Sequence, residues 1–238
     1  MSEKKPPNAP WRNFYGRRKG KGLRPSQETY LSEDLMALSP GPVDWESNPQ
    51  RNQLDLKTRF PDAQEIWLEI GFGGGEHLVH QASKYPHVAV VGCEPYINGV
   101  AMLLGKIRQA GAHNLAIHPG DARDLFDVLP KQSIAKAFLL YPDPWPKKRH
   151  HRRRFVNSEF LDPLADILAT GAELRIATDI EDYVRQTLEQ MMAHPAFLWQ
   201  ANTPQDWRKP WGDWITTRYE AKALREGRTP HYLTFKRV

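Results

Sequence analysis

Cysteine is almost missing from this 238-residue chain: Cys93 stands alone. One thiol excludes an intramolecular disulfide framework and any cysteine-rich zinc site, and it fits a reducing compartment. No apolar run approaches the roughly 20 residues that span a bilayer. The N-terminus is polar and lacks the apolar core of a signal peptide. A soluble, cytoplasmic protein without a membrane partner is therefore expected. The chain also lacks internal repeats. Hydrophobic residues make up 40% of it, which argues against wholesale disorder, and its length suits one α/β domain plus an extension.

Charge is plentiful but unevenly placed. The net +5 conceals +7 over residues 1–24 and +6 over residues 147–154, leaving −8 on the remainder. Two basic segments on an acidic body are the footprint of a polyanion-binding protein. Residues 1–24 are rich in Lys, Arg, Gly and Pro and read as a mobile arm, with Trp11, Phe14 and Tyr15 set among the cations as rings able to stack on bases or to pin the arm to the body. Residues 1–60 are read as an N-terminal extension carrying a short helix over 27–37, which Pro40-Gly41-Pro42 ends.

Residues 61–238 form the main domain. Strands are read over 66–70, 88–93, 115–118, 134–141 and 173–177, with a final one over 231–237 whose neighbour should be antiparallel. Helices alternate with them over 75–84, 96–110 (stopped by Gly111), 122–129, 158–168, 181–193 and 217–225. This alternation predicts a doubly wound sheet with right-handed crossovers, and such sheets bind ligands at the carboxyl ends of their strands. Trp207, Trp211 and Trp214 are read as a packed scaffold rather than as base platforms.

The chemistry-bearing residues fall at those strand ends. The first strand runs into Glu69-Ile70-Gly71-Phe72-Gly73-Gly74-Gly75, where glycines let the backbone turn sharply and approach a ligand. A dinucleotide fingerprint requires Gly or Ala where Glu76 stands. The spacing of Gly71, Gly73 and Gly75 instead resembles the first motif of S-adenosylmethionine-dependent methyltransferases. Glu94, nineteen residues past Gly75, stands where a carboxylate takes ribose hydroxyls. Asp121 is placed for an adenine amino group and Glu69 for the charged methionine end. His77 and His80 lie three apart on a helix without a convincing third ligand, so surface histidines are expected and no metal.

The fourth strand ends in Tyr141-Pro142-Asp143-Pro144-Trp145-Pro146, followed by Lys147-Lys148-Arg149-His150-His151-Arg152-Arg153-Arg154. Three prolines forbid helix and ladder pairing and give Asp143 a defined direction. Trp145 offers a stacking face, and the cations beyond it suit the phosphates that deliver a base.

E-I-G-F-G-G-G-E-H, G-C-E-P, P-D-P-W-P-K-K-R-H-H-R-R-R, A-T-D and T-R-Y-E together resemble the bacterial tRNA (guanine-N7-)-methyltransferase family over residues 60–238. The resemblance implies a Rossmann-like, seven-stranded sheet, mostly parallel with an antiparallel last strand. It implies S-adenosylmethionine as cofactor and tRNA as partner, methylated at N7 of a guanosine in the variable loop, position 46 in standard tRNA numbering. Glu69, Glu94, Asp121 and Asp143 are the implied cofactor-pocket carboxylates, and Asp143 is also the implied catalytic residue. Lys147, Asp179, Thr217, Arg218, Tyr219 and Glu220 match substrate-contacting positions, while Arg149, Arg152, Arg153 and Arg154 match an RNA-contacting run. Monomer and homodimer both remain open. The rival readings are a methyltransferase of an exocyclic amine, whose (Asp/Asn/Ser)-Pro-Pro-aromatic loop is similar, and a non-catalytic RNA-binding module on the same fold.

Overall fold

In the computed structural model, which describes residues 12–238, seven strands join in one sheet. The readings placed on Trp11 and the first cations lie outside the described residues. The chain forms α1 (Pro25–Glu33), α2 (Leu56–Arg59), β1 (Glu65–Ile70), α3 (Glu76–Lys84), β2 (Val88–Cys93), α4 (Ile97–Ala110) and β3 (Leu115–His118). It continues with α5 (Ala122–Phe126), β4 (Ile134–Leu140), a 3-10 turn (Lys148–Arg153), α6 (Ser158–Ile167), β5 (Leu168–Thr178) and α7 (Glu181–Ala193). The last elements are β6 (Phe197–Trp199), α8 (Gln205–Arg208), α9 (Arg218–Arg225) and β7 (His231–Arg237).

The strand order is β3-β2-β1-β4-β5-β7-β6. β1 to β5 pair in parallel, whereas β7 runs antiparallel to both β5 and β6. The path winds outward from β1 to β3, then returns to begin again at β4. That reversal opens a crevice above the carboxyl ends of β1 and β4.

Helices cover both faces, so β2 is buried at every position and reads as an uninterrupted apolar run. Alternate residues still serve separate cores. Ala89, Val91 and Cys93 face one cluster with Leu164, Ile176 and Tyr183, while Val88 and Val90 face the other with Leu78, Leu103 and Leu104.

Three expectations are corrected. α1 begins two residues early, because Pro25 supplies a pre-set φ at a first-turn position that needs no N–H, and it ends at Glu33. β5 has eleven residues, not five, since the chain passes straight from Ile167 into strand. β6 was not read at all, being three residues long and too short to display an alternation.

From Arg12 onward the expected mobile arm is tied to the body. Arg12 forms 2.8 Å bonds to Asp124 and to both oxygens of Asp127. Further along, Ile97 N–H donates to Arg18 O at 3.0 Å, and Asn98 bridges Gly20 N–H and Lys21 O at 2.8 Å. The segment thus crosses the sheet top as a strap from α5 to the start of α4.

Candidate active site

Under the strap lies a cleft of about 480 Å³ at the carboxyl ends of the parallel strands. Gly71, Gly73 and Gly75 line or support its floor, with φ of 71°, 56° and 76°, all left-handed. Gly71 has no atom within 4 Å of the place a Cβ would occupy, so the cleft comes directly to the main chain there. Glu94 is buried, and its carboxylate accepts from Gly73 N–H at 2.7 Å and Tyr96 N–H at 2.8 Å. Burial pushes the Glu94 carboxyl up; the two backbone donors oppose this, and the charges of Asp143 and Glu69 add to it. These features fit a nucleoside cofactor: a backbone cradle without side chains, and one fixed carboxylate with lone pairs left over. The volume is of the ordinary size for small-molecule sites.

Two other carboxylates are placed differently from expectation. Asp121 lines the cleft, but it caps α5 by accepting from Arg123 N–H at 2.9 Å and takes the Arg123 guanidinium at 3.1 and 2.6 Å. Burial raises its carboxyl, but the Arg123 bonds and charge outweigh this and hold it below the usual range. Glu69 is not part of the cleft wall. It is 2% exposed on the opposite side of β1, where its Oε2 lies 2.7 Å from His77 Nδ1.

His77 is no surface histidine either. It is equally buried and packs against Phe138 and Trp214. Gln81 Nε2 lies 3.0 Å from both His77 Nε2 and Asp213 O. The amide therefore donates to Nε2, which leaves the proton on Nδ1, directed at Glu69. Among the described residues, no group of three or more His, Cys, Asp or Glu side chains could hold a metal ion.

The roof is the proline loop. Tyr141 and Trp145 both adopt positive φ, 50° and 41°, unusual for aromatic residues and costly by about 1–3 kcal/mol each. Between them Asp143 faces the cleft mouth with no hydrogen-bond partner among the described residues. Crowding at the mouth raises its carboxyl above the ordinary aspartate range, and the Arg17 charge opposes that. The Trp145 ring meets Tyr15 of the strap edge-on at 6.3 Å, and Arg153 lies over both rings at 5.0 and 4.5 Å. The strap, the proline loop and the basic run therefore converge on one opening.

A family model described as "Putative methyltransferase" matches residues 63–233. A tRNA (guanine-N(7)-)-methyltransferase of Jannaschia sp. (strain CCS1) is 69% identical over 97% of this chain and 97% of its own length. That of Ruegeria pomeroyi is 68% identical over 98% and 97%. The chain belongs to the tRNA (guanine-N(7)-)-methyltransferase family. Among solved structures, the 16S rRNA methyltransferase KamB superposes with a TM-score of 0.52 at 17% identity, over 77% of this chain and 92% of its own. An rRNA methylase from Streptococcus thermophilus gives 0.50 at 15%, over 74% and 89%. At these identities the two structures show a shared fold alone.

In this member of the tRNA (guanine-N(7)-)-methyltransferase family, the residues implied on the substrate side fall into distinct places. Lys147, Lys148, Arg149 and Arg152 are exposed beside the cleft. Arg154 is not: it is 1% exposed and bonded to the protein interior. Asp179 is paired with Arg228. Thr217 is buried and caps α9 by accepting from Glu220 N–H at 3.2 Å. Arg218 reaches Glu76 and lies against Gly74, while Tyr219 lies over Gly73 at the cleft. Glu220 is buried, accepting from Trp214 Nε1 at 2.8 Å and from the Tyr232 hydroxyl. Of the three tryptophans read as scaffold, Trp211 and Trp214 pack together with Tyr232, with centroids 5.5–5.6 Å apart, whereas Trp207 stands apart and stacks on His231 at 5.5 Å. Sequence reasoning overlooked Arg123, whose guanidinium is held by Asp121 and Glu159, and the strap's contribution of Arg17 to the cleft.

Proposed function

We infer that this protein transfers the methyl group of S-adenosylmethionine to N7 of a guanosine in tRNA, at position 46 of the variable loop. The observation that carries this reading is the unpartnered Asp143 carboxylate over a glycine-floored cleft, in a chain nearly full-length similar to named tRNA (guanine-N(7)-)-methyltransferases. Gly71, Gly73 and Glu94 would hold the cofactor, with Glu94 accepting from the ribose hydroxyls. Asp121 keeps one carboxylate lone pair beyond its bonds to Arg123, available to an adenine amino group. Bound there, S-adenosylmethionine supplies an electrophilic methyl on a sulfonium.

Guanine N7 carries an in-plane lone pair and no proton, so the chain need not provide a base for it. Its contribution is positioning and electrostatics. Asp143 accepts from guanine N1–H and the exocyclic amino group, which turns N7 toward the cleft and favours a cationic product ring. Trp145 and Tyr219 offer faces for the base, each worth about 1–3 kcal/mol in stacking. Lys147, Lys148, Arg149 and Arg152 neutralise phosphates around the opening.

Purified protein incubated with methyl-labelled S-adenosylmethionine and unmodified tRNA should yield labelled N7-methylguanosine on nucleoside analysis. Label on an exocyclic amine instead would establish the rival chemistry, and tRNA binding without label would establish the non-catalytic module.

A further inference from the structure

Arg154 ends the basic run by sequence but leaves it by position. The 3-10 turn at Lys148–Arg153 folds the chain back, so that Arg154 lies beneath the loop it follows. Its Nε donates to Pro144 O at 2.8 Å. Its Nη1 donates to Gln186 Oε1 at 2.9 Å and to Asp182 O at 3.3 Å, and its Nη2 to Asp182 Oδ2 at 2.7 Å. The guanidinium also lies 5.2 Å over the Tyr183 ring. Its charge is thus met by a carboxylate of the same chain, and burial leaves no face for a phosphate.

The proline loop needs such an anchor. Pro142, Pro144 and Pro146 have no N–H, so they cannot donate to the body. Two flanking residues sit at positive φ, and the Asp143 side chain is unpartnered. Pro144 directly follows Asp143, and its carbonyl is tied through Arg154 to Asp182 and Gln186 of α7.

We propose that Arg154 is a positioning residue: a buried bracket between α7 and the proline loop that fixes Asp143 over the cleft, and not an RNA contact. This rests on Asp143 being the residue that meets guanine. Only a rigid, planar fork reaches the Pro144 carbonyl, the Asp182 carboxylate and Gln186 together; a lysine ammonium keeps the charge but cannot make that set. Displacements of about 1 Å remote from the chemistry cost about 100-fold in rate, which sets the scale of the effect.

The test compares wild type, Arg154→Lys and Arg152→Ala for single-turnover methyl transfer at saturating tRNA, S-adenosylmethionine Kd, and the salt dependence of tRNA Kd. For Arg154→Lys the account predicts a rate lower by about 10–100-fold, with cofactor Kd and salt slope unchanged. For Arg152→Ala the salt slope should fall by about 0.9, one phosphate contact. Should Arg154→Lys not fold, Asp182→Asn cuts the bracket from the helix side and should give the same loss of rate. A lowered salt slope with an intact rate for Arg154→Lys would make Arg154 an RNA contact and overturn the bracket, as would a variant equal to wild type in every measurement. Absence of N7-methylguanosine from the wild-type reaction is a separate outcome, which defeats the assigned reaction itself.

Discussion

Glu94 is the residue where burial and function pull hardest against each other. Burial raises its carboxyl above the ordinary glutamate value of 4.5, although the ribose recognition proposed for it uses the ionised form. On acidification the carboxylate is therefore lost earlier than in an exposed glutamate. Through this one group the cofactor-free protein gains stability as pH falls, because the folded state binds the proton more tightly. Cofactor affinity should move the opposite way. Calorimetric titration should show S-adenosylmethionine Kd rising as pH drops through that raised pKa, and Glu94→Gln should remove the dependence; identical profiles would remove Glu94 from ribose binding. The position of Glu94 was legible from its spacing beyond the glycines. The environments of Asp121, Glu69 and Arg154 were not, because Arg123, His77 and Asp182 become their partners only on folding. A run of six cations looks uniform in sequence, but one of them faces inward.

The elements were the most readable level, since periodicity and punctuation are local. Gly111 ends α4 at φ 63°, as its sequence position suggests, and the five parallel strands follow from their apolar runs. β6 escaped because its three residues gain strand geometry only by pairing with β7. Packing between elements was equally hidden. Gly99 in α4 has an ordinary helical backbone, yet a Cβ there would stand 2.3 Å from the Gly73 carbonyl oxygen. Only glycine lets α4 approach the Gly71–Gly75 loop so closely. Gly99→Ala should therefore push the loop out of place, weakening S-adenosylmethionine binding tenfold or more. Destabilisation should be about 1–3 kcal/mol, the usual cost of overpacking. Isothermal titration and thermal unfolding would check both, and unchanged cofactor affinity would show that the loop accommodates the methyl group.

Across the whole molecule, charge separated by more than a hundred residues in sequence is gathered at one opening. Arg17 from the strap and Arg153 from the basic run both line the cleft that Asp143 overhangs. The unequal charge distribution was plain in the sequence, but the convergence depends on Arg12 anchoring the strap to Asp124 and Asp127. What results is a glycine-floored cleft beneath Asp143 with cations around its opening, the arrangement the proposed reaction on an RNA requires. The most direct measurement is Asp143→Ala, assayed for single-turnover methylation of an unmodified tRNA transcript alongside S-adenosylmethionine Kd. The account predicts a rate lower by about 100-fold or more with cofactor Kd within a few-fold of wild type. Equal losses in rate and cofactor affinity, or a rate near wild type, would contradict it.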